Sequence, residues 1–148
     1  MRPKILIANG VNLDLLGSRE VKIYGKSNLQ DLEKLVLQEV PGLIQSTKYD
    51  SIDLHFFQTN SEVELFDKIS QNWDGILINP GAWTHTSVAL ADRLKGLGVK
   101  YVEVHLSNIS NREEFRKQSY SAPHACGVIY GLGFDSYIVG LLALLRKL

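Results

Sequence analysis

Lys4-Ile5-Leu6-Ile7-Ala8-Asn9 puts four apolar residues in succession and then stops at Asn9-Gly10. A run of that length, apolar at every position rather than at alternate ones, is a strand covered on both faces, as the central strands of parallel sheets are. The chain outward from it repeats the theme. Ser51 to Gln58, Ile76 to Asn79, Tyr101 to Leu106 and Gly127 to Tyr130 read as further strands. Between them lie helical patterns: Leu29, Leu32, Leu35, Val36 and Val40, capped by Ser27 or Asn28 and ended by Pro41-Gly42; Leu65, Phe66 and Ile69 running on to Trp73; and Val88 to Leu97, stopped by Gly98. Glu113 to Arg116 suggests a short helix, and Phe134 to Leu148 a closing one. Strands alternating with helices imply right-handed βαβ crossovers and a mainly parallel sheet. The expected fold is α/β, a flavodoxin-like three-layer sandwich whose five-stranded parallel sheet has the order 2-1-3-4-5.

A chain of 148 residues is long enough for one domain, since this length buries roughly 68–70% of its unfolded surface. One catalytic domain, 1–148, is the expectation, with no internal repeat or linker. The longest apolar stretch, Tyr137 to Leu145, is broken by Gly140 and falls far short of the about 20 residues that span a bilayer. No signal-peptide pattern precedes the first strand, so a cytoplasmic location is expected. The formal net charge of +0 gives no global attraction for nucleic acid. A single cysteine, Cys126, excludes an intramolecular disulfide framework and a cysteine metal site; its apolar neighbours predict a core position.

In such sheets ligands bind beyond the carboxyl ends of the strands, where strand order reverses. Here that point lies between the first and third strands. Asn9 and Asn12 follow the first strand, Asn79 and His85 the third, and His105 with Ser107 closes the fourth. From Gly10 to Lys26 periodicity is lost, and Gly17 and Gly25 bracket a polar loop holding Arg19, Glu20 and Tyr24. Long irregular connections of this kind are commonly functional lids, so 17–26 is expected to be mobile. Tyr24 is a base if its phenol, ordinarily near ~10, is lowered by several units, which a neighbouring cation achieves. Arg19 is the cation to hand; a surface tyrosine beside a solvated arginine is the plainer alternative.

Glu103 and His105 are two apart on a strand and so share a face, with Val102, Val104 and Leu106 on the other. A carboxylate beside an imidazole favours the protonated ring that a general acid requires; a buried structural ion pair is the competing reading. Thr84-His85-Thr86-Ser87 precedes a helix N-terminus, which favours an anion, or else Thr84 or Thr86 merely caps it. Arg112 and Arg116 offer a cationic wall, although Glu113 and Glu114 between them allow one to be an ordinary surface charge. Asp92 lies off the apolar stripe of its helix and faces solvent or a neighbouring subunit. Gly131-Leu-Gly133 imitates a dinucleotide loop but lacks the third glycine and a second βαβ half. It reads as close strand-to-helix packing.

Taken together, Asn9-Gly-Val-Asn-Leu-Asp-Leu-Leu-Gly-Ser-Arg-Glu20, Ile23-Tyr-Gly25, Gln58-Thr-Asn60, Asn79-Pro-Gly-Ala-Trp-Thr-His-Thr-Ser87, Glu103-Val-His-Leu-Ser-Asn108 and Arg112-Glu-Glu-Phe-Arg-Lys-Gln-Ser-Tyr120 resemble the type II 3-dehydroquinate dehydratases over nearly the whole chain. The resemblance implies dehydration of 3-dehydroquinate to 3-dehydroshikimate through an enolate, without metal, cofactor or covalent intermediate. By the same resemblance Tyr24 is the proton acceptor, Arg19 its activator and transition-state stabiliser, and His105 the proton donor, oriented by Glu103. Asn12 acts on the enolate through a water. Asn79, His85, Leu106, Ser107 and Arg116 bind substrate, and Asp92 serves an adjacent subunit of trimers assembled into dodecamers. The alternative from another class is a flavodoxin-like module that binds an anionic ligand on the same edge without turnover. Val11, Asp14 and Val21 depart from the family's usual proline, asparagine and proline. The lost prolines should enlarge the freedom the loop gives up on closing, and Asp14 should point away from the anion site or pair with Arg19.

Overall fold

The computed structural model describes residues 1–18, 22 and 25–148; Arg19, Glu20, Val21, Ile23 and Tyr24 lie outside the described residues. Strands β1 (Lys4–Asn9), β2 (Asp53–Gln58), β3 (Gly75–Asn79), β4 (Lys100–His105) and β5 (Gly127–Tyr130) form one sheet of order β2-β1-β3-β4-β5, every pair parallel. The order expected from the alternating pattern is the order found. Helices α1 (Leu29–Ile44) and α5 (Asp135–Lys147) cover one face and α2 (Glu62–Ile69) and α4 (Val88–Leu97) the other, with a single turn, α3 (Trp83–Thr86), ahead of α4.

The apolar run that opens the chain explains the layering. Ile5 and Ile7 pack with Leu32, Val36, Leu141 and Leu144 on one face, while Leu6 and Ala8 pack with Leu65, Ile69, Leu90 and Leu94 on the other. Buried on both faces, β1 has no polar side, which is why its sequence shows no alternation. α5 lies close enough to the sheet that a β-carbon at Gly140 would stand 2.8 Å from Leu77 Cδ1 and Val104 Cγ1.

Several boundaries differ from expectation, each for a local reason. α1 is capped by Asn28, whose side chain accepts from Asp31 N while Asp31 returns a bond to Asn28 N. It runs through Pro41-Gly42 to Ile44 instead of ending there. Proline forfeits its bond to the carbonyl four residues back and crowds that carbonyl; that residue, Leu37, is exposed, so water can take the place of the missing partner. Val40 and Leu43, packed against the core, hold the extra turn. α2 ends at Ile69, and Trp73 is buried beyond it with its indole N–H on the Lys68 carbonyl. Cys126 is exposed, not core, because it lies just before the short edge strand β5.

Gly131 and Gly133, both at positive φ, donate to the carbonyls of His105 and Leu106 and thereby dock the β5–α5 turn on the end of β4. That is the packing role read for them above. No helix among the described residues is long and apolar enough to cross a membrane.

Candidate active site at the carboxyl edge of the sheet

The strand register brings the polar strand ends together. Asn9 pairs with Gln58 on one side and with Asn79 on the other, and Glu103 lies beside Ile78. The chain leaving β1 is tied to β3 by the bond from Gly10 N to the Asn79 carbonyl, 2.8 Å. These two loops are pressed against each other. A β-carbon on Gly81, whose φ is +62°, would sit 2.6 Å from the Val11 carbonyl oxygen. Gly81→Ala is therefore expected to cost about 1–3 kcal/mol, measured as a lower Tm; an unchanged Tm would mean the loops have room to part.

Between the loops opens a cleft of about 130 Å³, lined by Asn12, Asn79, His85, His105, Leu106, Ser107, Arg112 and Arg116 together with apolar residues of 11–16. Seven of the site residues expected from the sequence thus meet in one place. Glu103 stands directly behind, wholly buried, with Oε2 3.1 Å from His105 Nε2. Val102, Val104 and Leu106 belong to the opposite face, as the alternation required. With Nε2 engaged, Nδ1 is the His105 nitrogen left for the cleft.

Burial pushes the Glu103 carboxyl up, but the hydrogen bond and charge of His105, with the hydroxyls of Ser121 and Ser119, outweigh it and hold the group below its ordinary value. The carboxylate is saturated. Thr84 Oγ1 is 3.1 Å from Oε1, Ser119 Oγ is 3.1 Å from Oε2, and Ser121 Oγ closes on Oε1.

His85 stacks over His105 with ring centroids 6.5 Å apart and 18° between planes. Its Nδ1 lies 2.6 Å from the Gln118 carbonyl. A carbonyl only accepts, so Nδ1 carries the proton and Nε2 is an acceptor in the neutral ring. Burial, then the charges of His105 and Arg116, lower the His85 pKa against the opposing Gln118 bond. That favours the neutral, hydrogen-bonding form. Across the cleft, Arg112 Nη1 reaches Ser107 Oγ at 3.4 Å, and Arg116 Nε pairs with Glu113 Oε2 at 2.8 Å. Both arginines line the cavity, so neither is merely a surface charge.

Asn12 is the sole non-glycine residue at positive φ among the described residues (φ 67°), and its N–H is held by Asn60 Oδ1 at 2.8 Å. Asn60 and Gln58, whose amide donates to the Gly10 carbonyl at 3.2 Å, come from the end of β2. Strained backbone of this kind persists where the surroundings over-determine it. Asn79 Nδ2 donates to Tyr137 Oη at 2.9 Å, the Tyr137 hydroxyl donates to Asn9 Oδ1 at 2.5 Å, and Gly81 N donates to Asn79 Oδ1 at 3.1 Å.

Other expectations fall elsewhere. Tyr24 and Arg19, and with them most of the expected lid, lie outside the described residues. Asp92 is exposed on α4 and Asp14 exposed on a 3-10 turn, Leu13–Leu15, and neither lines the cleft. The helix end after Ser87 does not line the cleft. Ser87 itself caps α4, accepting from Leu90 N and donating to Glu62 Oε2 at 2.6 Å. Thr84 caps nothing; it turns inward to Glu103. Ser119, Ser121 and Tyr137 were missed. The two serines sit in a polar loop that offers no periodicity to place them. Tyr137 carried one signal, since a tyrosine inside an apolar helix needs a partner for its hydroxyl.

A doubly wound parallel sheet with acid–base groups and cations on its carboxyl edge defines a flavodoxin-like α/β protein with its candidate site where such sheets bind their ligands. A family profile described as "Dehydroquinase class II" matches residues 3–145. A 3-dehydroquinate dehydratase of Alkalilimnicola ehrlichii is 47% identical over 99% of this chain and 94% of its own. One of Carboxydothermus hydrogenoformans is 48% identical over 98% and 92%. The crystal structure of a type II dehydroquinase from Butyrivibrio crossotus superposes with a TM-score of 0.85 at 39% identity, covering 95% of each chain. The chain belongs to the class II dehydroquinase family, the type II 3-dehydroquinate dehydratases, and is an enzyme of the lyase class.

Proposed function

We propose that the protein dehydrates 3-dehydroquinate to 3-dehydroshikimate, a step of the shikimate pathway, with 1–148 as one catalytic unit and no metal or cofactor. Tyr24, as phenolate, takes a proton from the carbon beside the ketone, and the electron pair moves onto the carbonyl oxygen. The enolate then re-forms the ketone as the C–O bond on the far carbon breaks. His105 gives its proton to the departing hydroxyl, so water leaves and a conjugated enone remains. Arg19 activates Tyr24 and stabilises the transition state, and Asn12 stabilises the enolate through a water. Asn79, His85, Leu106, Ser107 and Arg116 bind the substrate's carboxylate and hydroxyls.

The observation that carries this reading is His105 in the cleft wall, bonded to a buried carboxylate. A poor leaving group such as hydroxide needs a positioned acid, and the two arginines beside it suit an anionic substrate. Segment 17–26 is the part of the chain to which we assign the lid that shuts water out. Asp92 is assigned to the cleft of an adjacent subunit in trimers that build a dodecamer. Its exposure on α4, beside Val88 at 54% exposed, supports a covering neighbour. The working compartment is the cytoplasm. Mixing the purified protein with 3-dehydroquinate should produce the ultraviolet absorbance of the conjugated enone; no rise at high enzyme concentration would leave only a binding module.

A further inference from the structure

We propose that Thr84, Ser119 and Ser121 are positioning residues for the acid step: their hydroxyls clamp Glu103 as a carboxylate aimed at His105, and the clamp sets the acidic limit of turnover. The inference rests on the reading of His105 as the acid. None of the three lines the cleft, so they act through Glu103 and not on substrate.

The placement of the hydroxyls supports the clamp. The three hydroxyl oxygens are mutual neighbours, Thr84 to Ser119 at 2.6 Å, Thr84 to Ser121 at 2.9 Å and Ser119 to Ser121 at 3.3 Å. Each owns one proton, and Ala122 N already donates to Ser119 Oγ at 3.0 Å. The acceptor-only group among them is the ionised carboxylate. Protonation of Glu103 would turn one of its oxygens from acceptor to donor and give up an accepting position that these hydroxyls use. Each hydroxyl that donates to Glu103 thereby favours its charged form.

The titratable groups near Glu103 among the described residues include one that shares this work, His105, whose hydrogen bond and charge favour the carboxylate ahead of the serine hydroxyls. On its own strand these are His105, the partner itself, and Tyr101, whose phenol burial pushes up. From α3 comes His85, held towards the neutral form. Cys126 acts on Tyr101 from before β5, and Arg116 acts on His85 across the cleft.

The clamp also spans two elements. Thr84 belongs to α3, whereas Ser119 and Ser121 follow the segment that carries Arg112 and Arg116. Tyr120 N donates to the Thr84 carbonyl at 2.8 Å, Gln118 O receives His85 Nδ1, and Tyr101 Oη donates to the Ser121 carbonyl. The wall holding the cleft's arginines is thus latched to the group that orients the acid.

The test follows two titrations in the full-length enzyme, the ¹³C signal of the Glu103 carboxyl and the acidic limb of the pH–kcat profile. In Ser121→Ala both should move up by about one pH unit, the scale of one lost hydrogen bond to a charge, and in Ser119→Ala/Ser121→Ala, which loses two, they should move further. KM should stay within about twofold because no substrate contact is removed, and Ser121→Thr should restore the parent profile. An unmoved Glu103 titration in a folded variant overturns the clamp, as does a limb that stays in place while Glu103 shifts. If Ser121→Ala does not fold, Ser119→Ala, at a partly exposed position, carries the same measurement. Turnover retained by His105→Ala would reveal a failure of the acid assignment separately, since the carboxyl titration of the serine variants does not depend on it.

Discussion

His105→Ala is expected to lower kcat by about 10²- to 10⁴-fold, the usual contribution of one positioned acid. The ring lies in the cleft wall with Nε2 bonded to Glu103 at 3.1 Å, so its loss removes the proposed proton donor and leaves the other cleft residues in place. The same change strips a buried carboxylate of its imidazole. Breaking a buried pair by removing one partner costs about 3–5 kcal/mol, so a lower Tm should accompany the loss of rate. The two effects are separable because the void is shaped like the group deleted. Added imidazole should restore part of kcat, whereas a rate lost through misfolding would not respond. A folded His105→Ala enzyme keeping more than about a tenth of the parent kcat would remove His105 as the acid.

Tyr24→Phe should abolish measurable turnover while substrate binding, followed by calorimetry, survives largely intact. The substitution deletes one oxygen and keeps the ring, so it removes the proposed base and little else. A phenol titrating near ~10 must be lowered by several units to act near neutrality, each worth about 1.4 kcal/mol, and Arg19 is the group assigned to that work. Retention of most of the rate by Tyr24→Phe would transfer the base role elsewhere.

The fold was legible because it is written in periodicities. β1 and β5 were read to the residue, and strand order followed from helices alternating with strands. Errors gathered where a local signal competes with packing. Pro41 is a helix stop in isolation, yet Val40 and Leu43 pack well enough to carry α1 past it. In the site, the Glu103–His105 pair was visible because spacing on a strand fixes a common face. The residues behind that pair were not. Nothing in Ser119-Tyr-Ser121 says that two hydroxyls return to a strand sixteen or more positions earlier; only the closed loop brings them there. Ser87, likewise, took the helix cap that Thr84 or Thr86 could have claimed.

The amide of Asn79 shows what a single main-chain N–H can decide. The chain Asn79 to Tyr137 to Asn9 could run in either direction, since each amide can turn end for end and a hydroxyl both gives and receives. Gly81 N–H removes that freedom by requiring an oxygen at one end of Asn79. The nitrogen end is then committed to Tyr137 with one of its two hydrogens. The ends of the Asn79 amide in the cleft wall are thereby fixed, nitrogen towards Tyr137 and oxygen towards Gly81. An amide held at both ends is oriented in advance. The direction of a buried hydrogen-bond relay, set by the glycine that lets two loops touch, has become a property of the binding surface.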